Sequence, residues 1–308
     1  IRNCLVGSEM CIRDSIFMFL MFFTSCKTLK LTAEYLDNPP SVVPKVALST
    51  DLNRNNWQHL DPINDSVPGM SVDKAYTELI KDSEGQTVVV AVLDTGIDIK
   101  HEDLKGNIWT NKKEIPGNNI DDDKNGFVDD VYGWNFLGEA YYEQLELTRL
   151  LGKGEDFPEK EDAQKDYDKR LAEARGEETL KYYLNYDFKG RTTGDDPDNF
   201  DQTYYGDNKV EHSREDESHG THVAGIIAAA RNNNLGMKGV ANNVQIMTLR
   251  VVPYGDEYDK DIALGIIYAA DNGADIINTS FGKGFSPHSD KVRDCLLYTS
   301  PSPRDNSG

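Results

Sequence analysis

The feature that most constrains the fold is an apolar run that ends abruptly in a carboxylate. Residues 88–93 read Val-Val-Val-Ala-Val-Leu, and Asp94, Thr95 and Gly96 follow directly. An unbroken aliphatic run of this kind is typical of a strand buried on both faces, as in a parallel sheet. Gly96 indicates the turn that leaves the strand. We therefore expect Asp94 at the carboxyl end of a central strand, the edge at which open α/β sheets place their sites.

A second motif offers the partner that such a carboxylate requires, because burying a lone charge is costly. Residues 218–230 read Ser-His-Gly-Thr-His-Val-Ala-Gly-Ile-Ile-Ala-Ala-Ala, which predicts a central helix that begins at His219 and is apolar nearly all round. His219 and His222 are three residues apart, so they could alternatively bind zinc from one helix face. No third ligand or Glu-x-x-His pattern lies nearby, which favours pairing of His219 with Asp94.

The two stretches together resemble the subtilisin-like serine proteases, the subtilases. The resemblance implies that Asp94 and His219 are the aspartate and histidine of an Asp-His-Ser triad, in the chain order of that family. The function it implies is hydrolysis of peptide bonds by a serine endopeptidase. The family's nucleophile motif Gly-Thr-Ser-Met-Ala is absent from the sequence, so we expect this chain to be inactive as it stands.

A third stretch resembles the strand that lines the family's substrate cleft. Residues 274–282 read Ala-Asp-Ile-Ile-Asn-Thr-Ser-Phe-Gly. We interpret Ser280 as a cleft residue whose backbone can pair with an extended peptide, and not as the nucleophile. The resemblance implies that a peptide or protein substrate contacts Ser280, Phe281 and Gly282. The alternative function is a pseudo-protease, a non-catalytic lipoprotein that binds peptide or calcium.

The order of the segments predicts an α/β fold. Strands that alternate with helices indicate a parallel sheet with right-handed crossovers. The resemblance adds that the sheet is subtilisin-like and truncated, with helices on both faces and a helical acidic insert. The remaining predicted segments of the domain are a helix at 72–82 with Ser71 as its N-cap, strands at 244–252 and 275–280, and a helix at 261–270.

Residues 138–218 form the insert. They contain 23 Asp and Glu against 12 Lys and Arg, a net charge of −11 out of −20 for the whole chain. Helices are predicted at 139–151, 159–175 and 177–187, the second with a narrow apolar stripe that includes Tyr167 and Leu171. A solvated appendage beside the cleft is favoured over a gate.

An acidic cluster follows the first strand. Residues 121–130 read Asp-Asp-Asp-Lys-Asn-Gly-Phe-Val-Asp-Asp, which resembles the first half of a calcium-binding EF-hand loop. Tyr132 occupies the twelfth position, where that loop has Glu, so Asp129 or Asp130 would have to close the site. The alternative is a solvated Asp-rich turn, although its carboxylates would repel one another without a cation. The candidate ligands are Asp121, Asp123, Asn125 and Asp129.

The composition of the chain limits the classes of partner that it can bind. A net charge of −20 over 308 residues argues against nucleic acid, whose backbone is itself negative. The four cysteines are Cys4, Cys11, Cys26 and Cys295, and none lies in a Cys-x-x-Cys or His/Cys cluster. We therefore predict neither a structural zinc site nor a disulfide framework.

The N-terminal region predicts export. Residues 16–26 read Ile-Phe-Met-Phe-Leu-Met-Phe-Phe-Thr-Ser-Cys, which is too short for the roughly 20 residues of a membrane span but suits a signal peptide. Phe-Thr-Ser-Cys resembles a bacterial lipoprotein cleavage box, in which Cys26 would carry lipid and be the only membrane contact. The expected location is the bacterial cell envelope or the medium. Both ends of the chain, residues 1–15 and 292–308, resemble translated sequencing adapters. Residues 27–56 resemble a linker, and residues 57–291 resemble part of a peptidase catalytic domain.

Overall fold

A computed structural model describes residues 55–81, 83, 85–212, 214 and 217–299. The chain divides into two compact units, Ile1–Thr77 and Glu78–Gly308. The predictions for Cys26, for the signal peptide and for both chain ends beyond these ranges lie outside the described residues. No helix among the described residues is long and apolar enough to cross a membrane.

The described residues of the second unit are built on a four-stranded parallel sheet. Its strands are β1 (Val88–Asp94), β2 (Gly133–Asn135), β3 (Val244–Arg250) and β4 (Ile276–Thr279). Their spatial order is β2-β3-β1-β4, so β1 is central. The apolar run therefore pairs with a strand on each side, and Asp94 is its last residue. This confirms the predicted parallel α/β architecture. The three-residue strand β2 was not predicted, because it is too short to show a period.

Successive side chains of β1 point to opposite faces of the sheet, so its unbroken apolar run makes both faces apolar. Ala91 and Leu93 belong to one buried cluster and Val90 and Val92 to another. Helices cover both faces, as the sequence predicts. The helices, in chain order, are α1 (Val72–Ala75), α2 (Glu146–Lys153), α3 (Lys160–Glu173), α4 (His219–Ala228), α5 (Asp259–Asp271) and α6 (Ser289–Thr299).

Two helices pack directly on the sheet. Buried residues of α5, including Ile262, Ile266 and Tyr268, share the cluster of Ala91 and Leu93. Ala224 and Ala228 of α4 share the cluster of Val90 and Val92. Although α4 is the predicted central helix and is apolar nearly all round, only part of it is buried, since Ile226 is 42% exposed. Val223 and Ile227 of α4 are partly buried and pack against the same cluster.

The predicted helix at 72–82 is also wrong in detail. It consists of the four-residue α1 and a π-helical turn, Tyr76–Ile80, and none of these residues is buried. Ser71 does not cap α1: its φ of 59° lies in the left-handed region, and its hydroxyl donates to Asp61 instead (2.8 Å).

The insert is less helical than predicted. Its first helix begins at Glu146, because the preceding residues pair with the loop after β3: Tyr254 N–H donates to the Tyr141 carbonyl and Glu143 N–H to the Tyr254 carbonyl. The second helix, α3, is confirmed, although Leu171 is exposed. The third is a single π-helical turn, Thr179–Tyr183.

The interpretation of the insert as a solvated appendage is wrong. Leu147, Ala163, Tyr167 and Leu184 form a buried cluster of their own, and Phe285, from the loop after β4, packs against it. The insert therefore has an apolar core, and a residue from outside the insert packs against it.

Candidate active site

Asp94 and His219 meet at the carboxyl edge of the sheet. Their side chains come from residues 125 positions apart, and His219 Nδ1 lies 2.8 Å from Asp94 Oδ1 and 3.0 Å from Oδ2. With its proton on Nδ1, the imidazole donates to the carboxylate. Asp94 also accepts the Thr95 backbone N–H at 2.8 Å. The carboxylate is thus oriented from both sides.

The two side chains differ sharply in exposure. The Asp94 side chain is 2% exposed, whereas that of His219 is 56% exposed. Because Nδ1 faces the buried carboxylate, the exposed edge of the ring is the one that carries Nε2. A buried acid that orients an accessible imidazole is the arrangement of a general base, whose remaining nitrogen can accept a proton from a nucleophile.

Local sequence explains how α4 brings His219 so close to β1. Gly220 has no side chain, and a Cβ at this position would lie 2.3 Å from the Gly96 carbonyl oxygen and 3.2 Å from Asp94 Oδ1. The Gly220 N–H donates to Thr95 Oγ1 at 3.3 Å, and Thr221 Oγ1 accepts the Asp98 N–H at 2.9 Å. The start of α4 is therefore tied to the turn that leaves β1.

A cavity of about 590 Å³ opens beside His219. Ser218, His222, Ile226, Met237 and Tyr254 are among the residues that line it. His222 is exposed, but the alternative of a zinc site with His219 gains no third ligand within the described ranges.

The predicted substrate residues follow β4, next to β1. Ser280 is exposed and its Oγ accepts a hydrogen bond from Asn278 Nδ2 (2.9 Å). Phe281 packs against the cluster between the sheet and α5. Because β4 is parallel to β1, Ser280, Phe281 and Gly282 lie at the same carboxyl edge as Asp94. Their role in binding stays a prediction.

The acidic loop brings together a different set of carboxylates from the one predicted. Oxygens of Glu114, Asp121 and Asp123 lie within 4.8 Å of one another and could hold a metal ion. Glu114 was missed because it lies outside the motif, and only folding of the loop brings it near. It also accepts the backbone N–H groups of Asp122, Asp123 and Asp129.

The other two predicted ligands have structural partners. Asp129 accepts the backbone N–H groups of Gly117, Asn118 and Asn119. Asn125 Oδ1 accepts the Phe127 N–H, and its Nδ2 donates to Asp130.

Asp130, the other acid proposed to close the loop, is fully buried. Its carboxylate accepts hydrogen bonds from Asn111, Asn125 and Tyr268. Burial raises its pKa, although these hydrogen bonds act in the opposite direction. Asp130 therefore links the loop to α5.

Comparison with known proteins agrees with this geometry. The family model described as Subtilase family matches residues 85–302. Subtilisin-like protease 1 of Plasmodium berghei (strain Anka) is 28% identical over 211 residues, which cover 66% of this chain and 23% of that protein. A thermophilic serine proteinase of Bacillus sp. (strain AK1) is 52% identical over 66 residues, covering 21% of this chain and 16% of its own length.

A cell wall-associated protease of Bacillus subtilis (strain 168) is 47% identical over 72 residues, 23% of this chain and 8% of that protein. The chain thus spans less than a quarter of the length of these curated relatives. The family match, by contrast, covers well over half of this chain and includes the acidic loop, the insert and both halves of the Asp94–His219 pair. The chain belongs to the subtilase family.

Proposed function

We propose that this chain supplies the acid and the base of a serine endopeptidase. The observation that supports the proposal is the contact between a buried Asp94 and an accessible His219, at 2.8 Å, beside an open cavity. His219 would remove the proton from a serine hydroxyl and later return it to the leaving amine. Asp94 would hold the required tautomer and stabilise the imidazolium.

Substrate binding is proposed at the exposed end of β4. An extended peptide would pair with the backbone at Ser280 and Gly282 and pass His219 on the same sheet edge. The names of the relatives, which are proteases and a proteinase, favour a peptide or protein substrate.

This sequence lacks the family motif that carries the nucleophilic serine. We therefore expect a fluorophosphonate probe to label the complete gene product and not the 308-residue chain. In the complete product, Asp94→Asn should lower kcat by roughly 10⁴-fold, the loss seen when a triad aspartate is replaced. Labelling of the isolated chain would contradict its inactivity, and a complete product without labelling or hydrolysis would favour the pseudo-protease alternative.

Calcium is the second proposed ligand, and the convergence of Glu114, Asp121 and Asp123 supports it. Carboxylate oxygens suit a hard cation. Calcium at about 100-fold over Kd should raise Tm by roughly 5 °C or more, and a chelator should reverse this. Glu114→Gln should abolish the calcium response, whereas Asp207→Asn, outside the cluster, should keep it. Equal Tm values with chelator and with calcium would contradict the site.

Export is proposed from the N-terminal region and is consistent with the name of the cell wall-associated relative. Cys26 would carry the lipid. Incorporation of radiolabelled palmitate by the expressed precursor, and its loss in Cys26→Ala, would test the anchor. Palmitate labelling that persists in Cys26→Ala would contradict it.

A further inference from the structure

We propose that Arg250 is a positioning residue that holds the Asp94 and His219 segments together, an inference that rests on the function proposed above. Arg250 ends β3 and is paired in register with Asp94 on β1. Its side chain is 1% exposed, and Arg250 is the largest fully buried residue in the described part of the chain. A charge at this depth requires several partners.

The guanidinium reaches both sides of the Asp94–His219 contact. Its Nε donates to the carbonyl of Thr95, the residue after Asp94, at 2.9 Å. Its Nη2 donates at 2.8 Å to Glu217, which lies two residues before His219 and is fully buried. One rigid group therefore connects the end of β1 to the start of α4.

The guanidinium of Arg250 also binds the residues at the start of the insert. Nη1 donates to Asn135 Oδ1 (3.3 Å) and to the Gly138 carbonyl (3.2 Å), and Nη2 donates to the Ala140 carbonyl (2.9 Å). Only a planar guanidinium offers N–H donors in these directions, so Lys cannot replace them all. The contacts of Arg250 therefore join segments that are far apart in the chain at one point beside His219.

The role of Arg250 is positional, because these contacts reach Asp94 and His219 only through neighbouring residues. Loss of the guanidinium frees the Thr95 carbonyl and leaves Glu217 buried without this cation. We expect the turn after Asp94 and the segment before His219 to shift independently. Misplacement of this kind, by about 1 Å, is enough to lower turnover by roughly 100-fold while leaving distant binding contacts intact.

The test uses the low-field proton NMR signal that we expect from His219 Nδ1–H, because its hydrogen bond to the buried Asp94 carboxylate should slow its exchange with solvent. Asp94→Asn identifies the signal. We expect Arg250→Met and Glu217→Gln to lose it, and Arg250→Lys to retain it only in part. Glu217→Gln keeps the side-chain shape, so it serves if Arg250→Met does not fold. In the complete gene product, Arg250→Lys should lower kcat with KM unchanged.

Arg149→Met is the matched control. Arg149 is also a buried arginine, paired with Glu146 at 2.6 Å and bonded to the carbonyls of Gln144 and Asp256. Its replacement should lower Tm yet keep the His219 signal. If the signal survives in both Glu217→Gln and Arg250→Met, the positioning role of Arg250 is wrong. The same holds if Arg149→Met also removes the signal. Either result would leave the proposed function standing. A wild-type chain without the signal would overturn the proposed function as well.

Discussion

Gly220 shows how closely a helix can approach a strand when one residue lacks a side chain. A Cβ there would collide with the Gly96 carbonyl oxygen at 2.3 Å, and backbone atoms cannot move aside as a flexible side chain can. A methyl group on Gly225, in the same helix, would meet no packed neighbour within 4 Å. The two glycines of α4 therefore have different physical roles.

We expect Gly220→Ala to destabilise the chain by about 1–3 kcal/mol, the usual cost of overpacking, and to weaken the His219–Asp94 contact. Gly225→Ala should instead stabilise it by about 0.5–1 kcal/mol, since Ala is the better helix former. Urea unfolding of both variants measures the difference. Equal effects of the two substitutions would show that α4 does not pack on Gly96 as described.

At the scale of elements, buried charges join the insert to α5. Arg191 binds Asp261 through two hydrogen bonds of 2.9 Å, and the side chains are 11% and 0% exposed. Lys260, which is fully buried, binds Asp195 at 2.6 Å. Since a buried charge needs its partner, the insert and α5 depend on each other.

Removing one partner of the Arg191–Asp261 pair should strongly lower the free energy of unfolding. We expect Arg191→Met to cost about 3–5 kcal/mol of unfolding free energy, because Asp261 loses its bidentate partner in the interior. Arg170→Met is the control, since its ion pair with Asp166 lies on an exposed face of α3 and should contribute less than about 1 kcal/mol. Denaturant titration of both variants would decide; similar losses would refute the buried link.

Asp195 makes the same junction sensitive to acid. Burial raises its pKa, but hydrogen bonds from Arg191, Lys260 and Thr193 outweigh this and hold the pKa at about 2, below the ordinary 3.8. A lowered pKa means that the stabilisation is present above roughly pH 4 and is lost as the pH falls toward about 2. The loss should be about 2 kcal/mol. Asp195→Asn should unfold with a shallower pH dependence over this range; an unchanged profile would contradict the assignment.

At the scale of the whole molecule, β4 is one of the two edge strands of the described sheet. It pairs with β1 on one side, and Ile276 is 53% exposed. An exposed apolar edge strand is a template for pairing with another chain. We expect concentration-dependent association that Ile276→Lys reduces.

Sedimentation velocity can measure this association. Leu79→Lys is the matched control, because Leu79 is 80% exposed but lies in a π-helical turn instead of a strand. A monomeric wild-type chain, or an equal effect of both lysines, would contradict association through β4.

The accuracy of sequence reasoning depended on how local each signal is. The apolar run before Asp94 and the helix that begins at His219 are contiguous patterns, and both elements have the predicted type and position. The helices predicted in the insert were partly wrong because its polar residues show no hydrophobic period. The residues just before Glu146 looked helical, but they pair with the loop after β3. Leu171 looked buried by spacing, yet it is exposed on α3.

The sequence by itself determined the strand that ends at Asp94, the helix that begins at His219 and the family that both imply, because each is encoded in a short run of side chains. Tertiary structure alone decided that Glu114 joins Asp121 and Asp123, that the insert is anchored through buried charges, and that Arg250 touches both sides of the site. These contacts join residues far apart in the chain, and a buried charge finds its partner only when the core has formed around it.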